Sequence, residues 1–214
     1  MRAPKLRELR EAVTSLFSRP FTTGFPATAH TPAARFRGRP MFNKDVCVGC
    51  TACAQVCPAR AIDVVDAVSG ALATRTLVHH PERCIFCGHC EAHCITKEGI
   101  HLTAQFDISY TNGQDITNSI EHELVVCGAC GSIIGTRRHL LWIARRLGEA
   151  AFANSTLLAS VQHSIEIASA YREEVSVPLQ RQDALKVICQ KCRRIAFLTD
   201  EGIADPREPQ PEKP

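Results

Sequence analysis

No apolar run in this chain of 214 residues approaches the roughly 20 that a membrane-spanning helix needs. The expectation is therefore a soluble or peripheral protein. Aromatic residues make up only 6% of the chain, so no rings interleave with basic residues to stack nucleic-acid bases. No phosphate-cradling glycine loop and no flavin or nicotinamide fingerprint is present. Nor does a nucleophile stand beside an acid–base constellation. A chain without these parts is not expected to perform substrate chemistry with its own side chains. Secretory signal features are lacking as well, which points its cysteines to a reducing cytosol rather than a disulfide framework.

What the chain has is 12 cysteines, all in metal-type spacings. Cys47-x2-Cys50-x2-Cys53-x3-Cys57-Pro58 is followed by Cys84-x2-Cys87-x2-Cys90-x3-Cys94. Two such runs of four are what two [4Fe–4S] clusters require. Three sulfurs of each run converge on one cluster, and the fourth lies too far along to join them. The inferred cages are therefore crossed: Cys47, Cys50, Cys53 with Cys94, and Cys84, Cys87, Cys90 with Cys57. Zinc motifs rarely repeat a third Cys at the next x2 step. The halves differ in detail: Ile95 stands where Pro58 stands, and Ile100 follows Cys94 by six residues where Ile62 follows Cys57 by five. The loop after Cys94, and its amide bonds to a cluster, should differ accordingly. His89 and His93, inside the second run, read as solvated or packing residues before they read as tuners or ligands.

Downstream lie Cys127-Gly-Ala-Cys130 and Cys189-Gln-Lys-Cys192. Together they make the ligand set of a four-cysteine site for zinc or rubredoxin-like iron. The 58 residues between the pairs exceed the zinc-ribbon spacing. Free thiols or a disulfide switch therefore stay open beside the metal.

Charge is uneven. Residues 1–40 hold eight Lys or Arg against Glu8 and Glu11, a balance of +6; the rest, with 17 basic and 20 acidic residues, sums to −3. Leu6, Leu9, Val13, Leu16 and Phe17 recur at helical spacing before Pro20. Such a helix can lie on an anionic membrane, dock on a membrane subunit, or pack on its own domain. Residues 21–40 read as an extended arm, and strands are expected at Ile62–Val65, with a turn at Ser69-Gly70, Thr76–Val78 and Ile100–Leu102. Arg137–Leu147 reads as an amphipathic helix with Leu140, Leu141, Ala144 and Leu147 on one side. A second helical stretch covers about Leu157 to Glu174, with Ile165, Ile167 and Ala168 as core. The arginines 137, 138, 145 and 146 read as a solvated face or subunit contact, not a nucleic-acid patch. Four prolines from Asp205 onward predict a disordered tail.

Arg37-Gly38-Arg39-Pro40, Arg83-Cys84-Ile85-Phe86-Cys87-Gly88 and Leu102-Thr103-x-x-Phe106 resemble the two-cluster subunit of respiratory complex I. They equally resemble its counterpart in membrane-bound nickel–iron hydrogenases of the formate hydrogenlyase type. The resemblance covers about residues 35–110. The hydrogenase-type subunit also carries paired cysteines in a carboxy-terminal extension, the last pair followed by basic residues as Arg193-Arg194 follow Cys192. The complex I subunit lacks this, so the resemblance implies the hydrogenase branch.

The expected fold is α+β: a two-[4Fe–4S] bacterial-ferredoxin-like domain at 41–110, with two short helices and two hairpins around the clusters. A docking helix and arm precede it at 1–40, a helical extension with the two CxxC pairs follows at 111–203, and residues 204–214 form the tail. The expected function is an electron-transfer subunit with no active site of its own. The partners the resemblance implies are the hydrogenase small and large subunits, membrane-arm subunits and an upstream electron-carrier protein, at the cytoplasmic face of the cell membrane and without nucleic acid. The alternatives are a complex I-like quinone oxidoreductase subunit and, more distantly, a nucleic-acid or assembly module whose clusters are structural.

Overall fold

In the computed structural model, residues 5–19, 22–69, 72–109, 116–164 and 179–198 are described. The chain divides into one unit ending at Phe36 and another beginning at Arg37. The first contains helix α1 (Leu6–Phe17). Its opening turn is held by the Lys5 N–H, which donates to the Glu8 carboxylate at 3.2 Å, and the Ser18 N–H closes its end on the Thr14 carbonyl. The helix buries none of its residues, leaving Leu6, Leu16 and Phe17 almost bare. Residues 22–36 contain no helix or strand. Pro20, the expected terminator, lies outside the described residues.

The second unit opens with strand β1 (Pro40–Phe42) and the short helix α2 (Ala52–Gln55). A hairpin follows, β2 (Ile62–Ser69) and β3 (Leu72–His79), longer than its Val-rich centre suggests; half of its expected turn, Gly70, lies outside the described residues. After a 3-10 turn at Pro81–Arg83 come α3 (His89–Ala92) and β4 (Ile100–Leu102). β4 does not form a local hairpin. It pairs antiparallel with β1, Phe42 against Ile100, so the first and last strands of the cysteine repeat close on each other.

The extension departs from the all-helical expectation. β5 (Asn118–Val126) and β6 (Ile133–Thr136) add to the hairpin, giving a four-stranded antiparallel sheet in the order β2-β3-β5-β6. The cause is legible afterwards: Ile120, His122 and Leu124 point inward while Glu121 and Glu123 point to solvent, the alternation of a half-buried strand. Helix α4 (Arg137–Leu147) follows, its N-terminus capped by the Thr136 hydroxyl, which accepts the His139 N–H. Leu140 and Ala144 are buried, but Leu147 is half exposed at the helix end. The second expected helix appears as α5 (Ser155–Ser164); its remainder to 174, with Ile165, Ile167 and Ala168, lies outside the described residues, as does the tail. Helix α6 (Gln190–Leu198) completes the unit.

Two cores result. Phe42, Ile62, Leu77, Ile100 and Ile120 pack with Cys47 and Cys53 between the repeat and the sheet. Ala184, Ile188 and Ala196 pack with Cys127 and Cys192 in the extension. Among the described residues no helix is long and apolar enough to cross a membrane.

Candidate metal centres

The two cysteine runs wall two cavities, and each cavity draws on both runs. Cavity 1 is lined by Cys47, Cys50, Cys53 and Cys94. Cavity 2 is lined by Cys57, Cys84, Cys87 and Cys90. The remaining walls follow the same internal two-fold pattern. Phe42, Leu77 and Ile100 face cavity 1, and His79, Pro40 and Ile62 face cavity 2.

Backbone shape follows the repeat as well. Gly49 (φ 67°) and Phe86 (φ 53°) stand two residues after the first cysteine of each run, and Thr51 (φ 66°) and Gly88 (φ 80°) stand four after it. Arg60 (φ 47°) and Lys97 (φ 66°) stand three after the last. Among the described residues, these loops hold all four non-glycine residues with positive φ. Each such residue costs on the order of 1–3 kcal/mol and persists only where its surroundings demand it. Left-handed turns bring successive N–H groups to one concave side, which suits an anionic sulfur cage. The Ala61 N–H donates to Cys57 Sγ at 3.2 Å, and the Phe86 N–H to Cys84 Sγ at 3.4 Å.

The carbonyls of the first loop turn outward to fixed donors. Arg138 on α4 donates to the Lys44 and Asp45 carbonyls, and the buried Thr136 hydroxyl donates to that of Val48. Arg75, held by Asp66 through two bonds of 2.7 Å, reaches the Gly49 carbonyl at 3.4 Å. A Cβ at Gly49 would lie 2.7 Å from the His122 ring, so sheet and loop meet with no room for a side chain. The extension thus grips the rim of cavity 1. In the second loop Arg37 donates to the Cys87 carbonyl at 3.0 Å.

Burial sets the thiol chemistry. It raises Cys53, beside Cys47 and Cys50, to about 12, and Cys90, beside Cys84 and Cys87, to about 11. Cys47, Cys50 and Cys84 move the same way. Such groups become thiolates only against a compensating cation, the role iron plays in a cluster. Cys94 moves down: burial opposes this, but the Thr96 hydroxyl and the N–H groups of Thr96, Gly99 and Ile100 outweigh it. The loop lacking the proline therefore has donors in plenty, from Thr96, Gly99 and Ile100. His89 and His93 stack on each other at 5.7 Å on an exposed face and line neither cavity.

The third group is of another kind. The sulfurs of Cys127, Cys130, Cys189 and Cys192 all lie within 4.8 Å of one another, and no other set of three or more potential ligands comes so close among the described residues. A tetrahedral zinc with Zn–S bonds of about 2.3 Å sets its sulfurs about 3.8 Å apart; Cys130 and Cys189 are 3.7 Å apart. The first pair sits on a knuckle after β5, closed by the Gly131 N–H on the Cys127 carbonyl with Gly131 at φ 71°. The second opens α6, where the Cys192 N–H donates to Cys189 Sγ at 3.5 Å. Burial raises Cys127 and Cys192; Cys130, against its own burial, is brought to about 6 chiefly by the Ser132 hydroxyl and N–H. Arg193, bonded to the carbonyls of Ala184, Lys186 and Ile188, places its cation beside the group. The donor set fits a single thiophilic ion, zinc or iron.

Three of the four arginines of α4 make contacts within the chain, and Arg145 and Arg146 lie on an exposed face. Arg137 pairs with Glu123 at 3.2 Å, Arg138 grips the first loop, and Arg146 lies over the Trp142 ring.

Residues 41–97 match the 4Fe-4S dicluster domain family. NAD(P)H-quinone oxidoreductase subunit I of Gloeobacter violaceus is 30% identical over 95 residues, which cover 42% of this chain and 44% of that protein. The chain thus spans less than half the length of that curated relative. A chain in the structure of a membrane-bound sulfane sulfur reductase, an archaeal respiratory membrane complex, aligns with a TM-score of 0.36 and 26% identity over 53% of this chain and 60% of that one.

Proposed function

We propose that the chain is an electron-transfer subunit of a membrane-bound respiratory-type complex, with two [4Fe–4S] clusters in its dicluster domain. Cys47, Cys50, Cys53 and Cys94 would hold the first, and Cys57, Cys84, Cys87 and Cys90 the second. The observation carrying this reading is the pair of cavities, each walled by three cysteines of one run and one of the other. The clusters would supply one-electron redox chemistry at low reorganisation. The chain's own residues bury them, direct N–H groups at sulfur and hold the loops. Cys127, Cys130, Cys189 and Cys192 would bind one zinc or iron that braces the extension, and the exposed apolar face of α1 would dock on the membrane or a membrane subunit.

Within this class we read the complex as a nickel–iron hydrogenase of the formate hydrogenlyase type. The support is the four-cysteine group, which the resemblance to that subunit leads one to expect. The second reading, a complex I-like quinone oxidoreductase, is favoured by the likeness to subunit I of the NAD(P)H-quinone enzyme. Anaerobic co-purification with identification of partners separates them. Hydrogenase subunits and hydrogen evolution support the first; quinone reduction without hydrogenase activity, and no metal at the four cysteines, supports the second.

A further inference from the structure

Cavity 2 contains a polar side chain that no protein group satisfies. His79, at the end of β3, is 1% exposed, lines the cavity beside its four cysteines, and neither ring nitrogen has a hydrogen-bond partner. A buried donor left without a partner is costly, so a partner is expected at this ring. A group that pays no such penalty is available in the other half of the molecule. His79 precedes Cys84 by five residues, as Phe42 precedes Cys47. His79 pairs across strands with Ile62, as Phe42 pairs with Ile100. Phe42 faces cavity 1 as His79 faces cavity 2. Packing at this position is thus met by a plain aromatic ring, and the imidazole adds one thing, an unsatisfied N–H donor in the wall of the cavity.

We propose that His79 donates a ring N–H hydrogen bond to a sulfur of the cluster held by Cys57, Cys84, Cys87 and Cys90, and thereby raises that cluster's reduction potential. The inference rests on the reading of the eight cysteines given above. One electron added to the oxidised cluster places extra negative charge on its sulfurs, and a donor aimed at them stabilises the reduced state more than the oxidised one. The histidine is therefore a tuning residue, with no part in binding the iron.

The test uses the full chain, purified anaerobically with its clusters and labelled with 15N-histidine. Redox titration followed by EPR should show the second cluster's midpoint moved to more negative potential in His79→Phe, with the first cluster unmoved. His79→Gln, which keeps an N–H donor, should recover most of the shift. Pulsed EPR of the reduced wild type should show a histidine 15N coupling and an exchangeable proton at the second cluster, both lost in His79→Phe. An unchanged midpoint in His79→Phe overturns the proposal. So does the absence of any histidine coupling in the wild type, whichever variants assemble. A wild type that carries no iron and sulfide refutes the ligand reading itself, and this outcome is distinct from an unmoved midpoint in a protein with both clusters.

Discussion

Thr136 joins the extension to the first cysteine loop through one hydroxyl. The group is fully buried, accepts the His139 N–H at 3.2 Å as the cap of α4, and donates to the Val48 carbonyl between Cys47 and Gly49. Thr136→Val keeps the branched shape, so no cavity opens and the loss is the two hydrogen bonds. Removing the cap costs about 1 kcal/mol, and leaving a buried carbonyl unpaired about 1–3 kcal/mol. A combined loss of roughly 2–4 kcal/mol corresponds to at least about a 30-fold rise in local opening, since about 1.4 kcal/mol is tenfold. Amide hydrogen exchange on the anaerobic protein reads this directly. Residues 47–49 and the first turn of α4 should exchange faster by that factor, and iron should leave cavity 1 faster under a chelator. Residues 84–90, gripped by Arg37 instead, should keep their protection. A change under threefold in residues 47–49, or equal loosening of both loops, would refute the idea that the extension braces cavity 1 in particular.

Further outcomes are expected elsewhere. Cys57→Ser should abolish the EPR signal of the cluster held by Cys84, Cys87 and Cys90 while sparing the other; loss confined to the first cluster rules out the crossed cages. Gly49→Ala should disrupt cavity 1, because the residue sits at φ 67° with His122 at 2.7 Å from the added carbon; normal iron retention would contradict this. Joint replacement of Cys127 and Cys189 by Ser should remove one metal per chain, keep the cluster iron, and lower the melting temperature of the extension. The Arg75 guanidinium holds the Asp66 carboxyl below the usual carboxylate range. That stabilisation is present above the unfolded value near 4 and is lost as pH falls through the lower folded value. Asp66→Asn should therefore show a shallower acid unfolding limb than the wild type, and an identical limb would discount the pair.

The parts legible in the sequence are those whose signal is local. Helical apolar spacing marks α1 and α4, and the short strand Ile100–Leu102 lies where expected. The x2 steps of the sequence bring three sulfurs of each run to one side, and the thiols lining each cavity are three of one run and one of the other. β5 and β6 are not among the expected strands, although Ile120, His122 and Leu124 alternate with Glu121 and Glu123; the polar inward His122 blurs the pattern. Invisible locally was the closure of β1 on β4, a pairing across about sixty residues. The grip of Thr136 and Arg138 on residues 44–48 spans even more chain, and nothing in a capping threonine or a surface arginine announces such a contact. The Phe42–His79 equivalence was present in the repeat itself, but it gains meaning only when both rings are seen to face their cavities.

Iron, sulfide and EPR are best measured together on the anaerobically purified chain. About eight irons and about eight acid-labile sulfides per chain are expected in two clusters, with one further metal, and two one-electron signals that interact on reduction. A protein carrying metal without labile sulfide, or with clusters that stay silent on reduction, would contradict the reading of an electron-transfer subunit with two clusters.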